Sequence, residues 1–142
     1  MEFRLEVVIV PVREVDASLQ FYRDGCGFAL DVDYHPTDAF RVVQLTPPGS
    51  GCSIQIGLGL TQAEPGSLRN LYLAVSDIEG ARADFIDRGV EVGPLRHKTP
   101  FDGWNGATAD GADPERRDYA TLASFSDPDD NTWVLQEIGF TA

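Results

Sequence analysis

Few side chains in this sequence are equipped for nucleophilic work or for acid–base work near neutral pH. There are two histidines, His35 and His97, and two cysteines, Cys26 and Cys52. An imidazole titrates near neutral pH, so His97 is a candidate acid or base. Neither histidine lies in an apolar periodic run, and both read as loop residues. The cysteines are too few for a disulfide scaffold and stand among small or apolar neighbours, so they read as reduced structural thiols. The richest stretch is 93–117, which carries His97, Lys98, Phe101, Trp104, Asn105, Arg116 and Arg117. Phe101 and Trp104 offer flat apolar contact area, and the bases can meet an anionic or carbonyl group. A connection of that length with a small, polar middle predicts a mobile lid. Residues 34–38 predict a second lid. The competing reading is a surface loop covering a sheet edge or a dimer seam.

The elements that must carry these groups follow from periodicity. Residues 5–12 form a β-branched run of strand length. A helix is predicted over 16–24, with Val15, Leu19 and Tyr22 at i, i+4 and i+7, small Ser18 on the same face, and Gly25 as its stop. Strands are predicted over 28–34, 40–45 and 52–58. The second half repeats the order: a strand over 71–75, then a helix capped by Asp77 or by a Ser76–Glu79 box, with Ile78, Ala81 and Phe85 on its buried face. Short strands are predicted over 90–92, 119–125 and 132–138. Residues 12–17 overlay residues 75–80 at a shift of 63 positions. The reading is one domain over 1–142, with module one at about 1–60, a linker at 61–69 and module two at about 70–142. A duplicated unit of this kind needs its open sheet faces covered.

Charge narrows the classes of partner. Eleven Lys and Arg stand against 23 Asp and Glu, a net charge of −12. Such a surface repels phosphate backbones, which argues against nucleic-acid binding, and it favours a cationic small molecule at long range. The longest apolar run, residues 7–12, is far too short to span a bilayer, and the acidic N-terminus does not resemble a signal peptide. A cytoplasmic protein with no membrane partner is expected.

The paired βαβββ order, Phe21-Tyr22 in the first helix and the turn Asp127-Pro128-Asp129-Asp130-Asn131 before the last strand together resemble the vicinal oxygen chelate superfamily. That group includes glyoxalase I, bleomycin and fosfomycin resistance proteins and extradiol dioxygenases. The resemblance implies an α+β fold of two tandem βαβββ modules forming a cleft, usually in a homodimer. Where the family's turn has Gly this chain has Asp130, which also tolerates left-handed backbone. The resemblance further implies a divalent metal, held from the first and last strands of each module. The corresponding positions here are Val7, Gln55, Asn70 and Val134, with Gln136 beside the last. Zinc and iron sites draw on imidazole, thiolate or carboxylate donors. No metal and no cofactor are therefore expected, with a divalent ion as the less favoured outcome.

By the same resemblance, strand alternation places Val7, Ile9, Ser53, Gln55, Asn70, Tyr72, Val134 and Gln136 on the cleft side. The expected ligand-binding set is Gln55, Asn70, Tyr72, Phe101, Trp104 and Gln136. Gln55 and Asn70 can equally be paired with each other or with water. The function expected is binding or sequestering a small organic molecule, a cationic antibiotic among the options. The alternative is a glyoxalase-like lyase, isomerase or dioxygenase with an atypical or metal-free site, using His97 or Glu137 as acid or base.

Overall fold

The computed structural model describes residues 1–142, whose contacts divide into two units. The first contains residues 1–68 and the short segment 127–131. The second contains 69–126 and 132–142. Each pairs a mixed sheet with one helical segment, as the α+β reading of two modules requires.

In the first unit, β1 (Val7–Ile9) leads into α1 (Val15–Gln20), which continues as a π-helical turn, Phe21–Gly25. Then come β2 (Ala29–Thr37), β3 (Phe40–Thr46) and β4 (Ser53–Leu58). The sheet order is β1-β4-β3-β2, with β1 parallel to β4 and the other pairs antiparallel. Alternation buries Val43, Leu45, Ile54 and Ile56, and the helical segment buries Val15, Ser18, Leu19 and Tyr22. The predicted helix 16–24 is thus present, but its second half is wider wound. There the Cys26 N–H reaches back to the Phe21 carbonyl at 2.9 Å, a spacing of five residues.

The 127–131 turn is this unit's polar keystone. Tyr22, fully buried, donates its hydroxyl to Asp127 Oδ2 at 2.7 Å. Asp127 Oδ1 accepts from the N–H groups of Asp129 and Asn131, each at 2.9 Å. The Asn131 amide donates to the Pro11 carbonyl and to Asp127 Oδ2, both at 2.8 Å, and its oxygen accepts from the Leu68 N–H at 3.0 Å. Asp130 has φ of 75°, the left-handed conformation expected at this place.

In the second unit, β5 (Leu71–Val75) precedes α2 (Ile78–Asp87). Four strands follow: β6 (Arg96–Lys98), β7 (Thr108–Asp110), β8 (Thr121–Ser126) and β9 (Thr132–Glu137). The order is β5-β9-β8-β6-β7, with β5 parallel to β9. Trp133, Leu135, Ala123 and Phe125 are buried on the side that α2 covers with Ile78 and Phe85. Phe125 stacks on Trp133 at 5.9 Å between ring centres and meets Phe85 edge-on at 5.2 Å. Of the two caps offered by the sequence, Asp77 is used: its carboxylate accepts from the Gly80 N–H at 3.1 Å. Helices α1 and α2 begin at Val15 and Ile78, the same 63-residue shift as the repeat.

Several expectations need correction. Residues 93–117 are not one long loop, because they contain the β6–β7 hairpin, which extends the second sheet to five strands. The three residues of β6, Arg-His-Lys, have no apolar alternation to announce a strand, and pairing with β8 rather than local propensity makes them one. His97 therefore lies on β6, and His35 lies on β2, not in loops. Residues 90–92 make only an isolated bridge, Val92 to Phe125. The run 5–12 contributes just Val7–Ile9 as strand. No helix is long and apolar enough to cross a membrane.

Candidate ligand cavity on the second sheet

On β6 the side chains of Arg96 and Lys98 share one face, two residues apart, and His97 takes the other. The Arg96–Leu122 register continues that face onto β8, and the Leu122–Gln136 register carries it to β9. Tyr72 joins it from β5, beside Val134. Over this surface lies a cavity of about 520 Å³, a size suited to a small organic molecule. Trp104 and the glycines Gly103 and Gly106 border it from the loop that joins β6 to β7, and Thr108 and Tyr119 complete its wall.

Polar atoms are few and directed. Gln136 Nε2 donates to the Tyr119 carbonyl at 3.0 Å, which fixes the amide's orientation. Tyr119 has φ of 68°, an uncommon conformation for a bulky side chain. Its N–H is held by the Glu137 carbonyl at 2.9 Å. Lys98 Nζ lies 4.7 Å from the centre of the Trp104 ring, a cation–π contact on an indole that stays exposed to solvent. No Asp or Glu lines the cavity. Its local charge is positive in a chain of net charge −12.

The loop over the cavity is braced from behind. Buried Asp113 accepts two hydrogen bonds from the Arg117 guanidinium at 2.9 and 2.7 Å and one from the Arg117 N–H at 2.9 Å, and its own N–H donates to Thr121 Oγ1 at 3.0 Å. Arg117 in turn lies over the Phe101 ring, 4.0 Å from its centre. Hydrogen bonding from Arg117 holds the Asp113 carboxyl far below the usual carboxylate range. A depressed folded-state pKa gives stability that is complete above the unfolded value of about 3.9 and is lost as pH falls below it. Asp113→Asn is therefore expected to lower the thermal midpoint by several degrees at neutral pH and by much less in strong acid. Thermal unfolding of both proteins across the acid range checks this; an equal deficit at every pH would refute it.

The sequence-predicted residues divide. Tyr72, Trp104 and Gln136 line the cavity, and Phe101 supports the loop above through Arg117 without lining it. Gln55 lies in the first unit, where its amide donates to Gln44 Oε1 at 3.1 Å. Asn70 is in the second unit with φ of 56°. Its N–H donates to Thr132 Oγ1 at 2.8 Å, and its side-chain oxygen accepts from the same hydroxyl at 3.4 Å. Each of these residues thus has a partner within its own unit. His97 Nδ1 meets the Gly111 carbonyl at 2.8 Å. Glu137 is fully buried on the helix side: Arg116 Nε and Nη2 reach its two oxygens at 2.7 and 2.6 Å, and the Ile78 N–H donates to it at 3.0 Å. Neither candidate acid–base group lines the cavity. Sequence reasoning left Arg96 and Tyr119 out of the site. The Arg-x-Lys spacing would have exposed Arg96 had the segment been read as a strand.

No three His, Cys, Asp or Glu side chains gather closely enough to hold an ion.

A family model, the Glyoxalase/Bleomycin resistance protein/Dioxygenase superfamily, matches residues 4–135. The chain belongs to this superfamily. Among solved structures, this superfamily member is similar to TnmS3, an antibiotic binding protein from Streptomyces sp. CB03234, with 27% identity, 96% of each chain covered and a TM-score of 0.71. It is also similar to a glyoxalase/bleomycin resistance protein from the same Streptomyces, with 28% identity, 94% of this chain and 100% of the other covered, and a TM-score of 0.69. A member of the superfamily from Sphaerobacter thermophilus shares the fold at 22% identity and a TM-score of 0.70, covering 96% and 98% of the two chains. No curated protein matches the chain.

Proposed function

We propose that this superfamily member binds a small organic molecule in the cavity of its second sheet and releases it chemically unchanged. The observation that carries the reading is the cavity itself: about 520 Å³, walled by Tyr72, Trp104 and Tyr119 and served by the oriented amide of Gln136. Aromatic walls with a few placed polar groups are the usual make-up of a small-molecule site. A relative described as an antibiotic binding protein supports antibiotics as the first compounds to try. The side chains at the positions the resemblance assigns to metal ligands do not fit a transition metal, and the one carboxylate on β9, Glu137, is committed to Arg116 and α2. The proposal includes binding without a metal, in a cytoplasmic homodimer whose size sedimentation would check.

The test is a thermal-shift screen with antibiotics, hemithioacetals and catechols. A compound that binds only the folded state raises the midpoint in proportion to its occupancy. Hits are then recovered and analysed by mass spectrometry. Tyr72→Ala and Gln136→Ala are each expected to weaken a hit by about five- to tenfold, from lost aromatic contact and a lost hydrogen bond. Consumption of the hit would reject the binder reading, and unchanged affinity in both variants would remove this cavity as its site.

A further inference from the structure

Acids outnumber bases about two to one in this chain, and most of its arginines are engaged. Arg23, Arg41, Arg88, Arg116 and Arg117 each sit against at least one carboxylate. Arg96 and Lys98 differ. Both are half-buried, both line the cavity, and neither is in an ion pair. Asp110 stands opposite Arg96 in the β6–β7 register, yet it does not line the cavity and makes no ion pair with Arg96. Two cations two residues apart on one strand repel each other, and that repulsion is relieved when an anion comes between them.

The other half of the wall is aromatic and open. Trp104 is 92% exposed, Tyr72 57% and Tyr119 55%. Three large aromatic side chains converging unburied on one cavity mark a surface that a flat ring system would cover. Across a Debye length of about 8 Å the general negative charge is screened, so the groups within contact distance decide the sign of the ligand.

We propose that the ligand of this cavity is a flat aromatic acid, its carboxylate or phenolate held by Arg96 and Lys98 and its ring laid against Trp104 and Tyr72. This rests on the small-molecule-binding reading above and specifies its ligand class. It reverses the expectation from net charge, under which a cationic compound is favoured: the long-range field is negative, but no carboxylate is present where such a cation would sit. Gln136 keeps its side-chain oxygen for a ring hydroxyl, since its Nε2 is already donated to Tyr119.

Three probes of one shape separate the possibilities: naphthalene-2-carboxylate, its neutral amide, and naphthalen-2-ylmethylammonium, each titrated calorimetrically into the intact protein. The carboxylate is expected to bind about tenfold or more tightly than the other two, with affinity falling as salt is added. Arg96→Gln with Lys98→Gln should abolish that preference, so that within the double variant the carboxylate binds no more tightly than the amide. Trp104→Ala should weaken all three together. A tighter ammonium or amide, or a carboxylate preference that survives the double variant, overturns the aromatic-acid assignment while leaving a small-molecule site in place. If none of the three binds, the assignment fails. Failure of the wider antibiotic screen as well would take the binding function with it.

Discussion

Asp127→Ala is expected to cost about 3–5 kcal/mol of folding stability, the range for breaking a buried, multiply bonded charged network. The carboxylate is 5% exposed and accepts four hydrogen bonds, from the Tyr22 hydroxyl, the Asn131 amide and two backbone N–H groups. Alanine leaves all four donors short of a partner. Tyr22→Phe removes only one donor and should cost about 1–1.5 kcal/mol. The two changes should not add: once Asp127 is gone, Tyr22→Phe should cost close to nothing, because the bond it deletes no longer exists. Urea unfolding of the two single variants and the double variant measures the coupling. Strict additivity would mean that Tyr22 and Asp127 are independent and that the keystone description is wrong. The signature residues of the superfamily in this chain are then structural, and their loss would reduce ligand binding only by unfolding the protein.

The second large effect falls on Glu137. Glu137→Ala is expected to cost about 3–4 kcal/mol, since it strips the Arg116 guanidinium of its bidentate partner and leaves the Ile78 N–H at the start of α2 unanswered. Arg116 keeps Glu79 at 2.8 Å, which limits the loss. Hydrogen bonding to Glu137 raises the Arg116 pKa above its ordinary value, so the guanidinium stays charged. Carboxylate chemistry in the cavity makes a different forecast from a brace under the helix. As a brace, Glu137 lowers the unfolding midpoint when replaced, yet the fraction still folded binds ligand as wild type does. Calorimetric titration at a temperature where the variant is folded distinguishes them: lost binding in a folded Glu137→Ala protein would restore an active-site role.

These two residues also show how far the linear chain can be read. The Tyr22 and Asp127 motifs were visible as family signatures, but their meeting across 105 positions was not, because hydrogen-bond partners that distant in sequence are set by packing. For Glu137, alternation alone was informative. It puts Glu137 on the face opposite Gln136, and the unbroken β5–β9 register, in which Glu137 pairs with Val75, keeps it there. What alternation could not supply was Arg116, whose own φ of 50° turns it under α2.

Local chemistry determined a great deal without coordinates. The 3.6- and 2-residue periods, the Asp77 cap and the 63-residue repeat specify the two modules, because each depends only on neighbours along the chain. Tyr72 and Gln136 were reached by alternation together with the family resemblance, and Trp104 by the length and composition of residues 93–117. Only the tertiary structure turned Arg96-His97-Lys98 into a strand, since three charged or polar residues have no period and acquire one by pairing with β7 and β8. That pairing puts Arg96 and Lys98 on the cavity face and gives a chain of net charge −12 a positive pocket. Net charge is a sum over composition, whereas the charge of a site depends on which side chains the sheet brings within a few ångströms of one another.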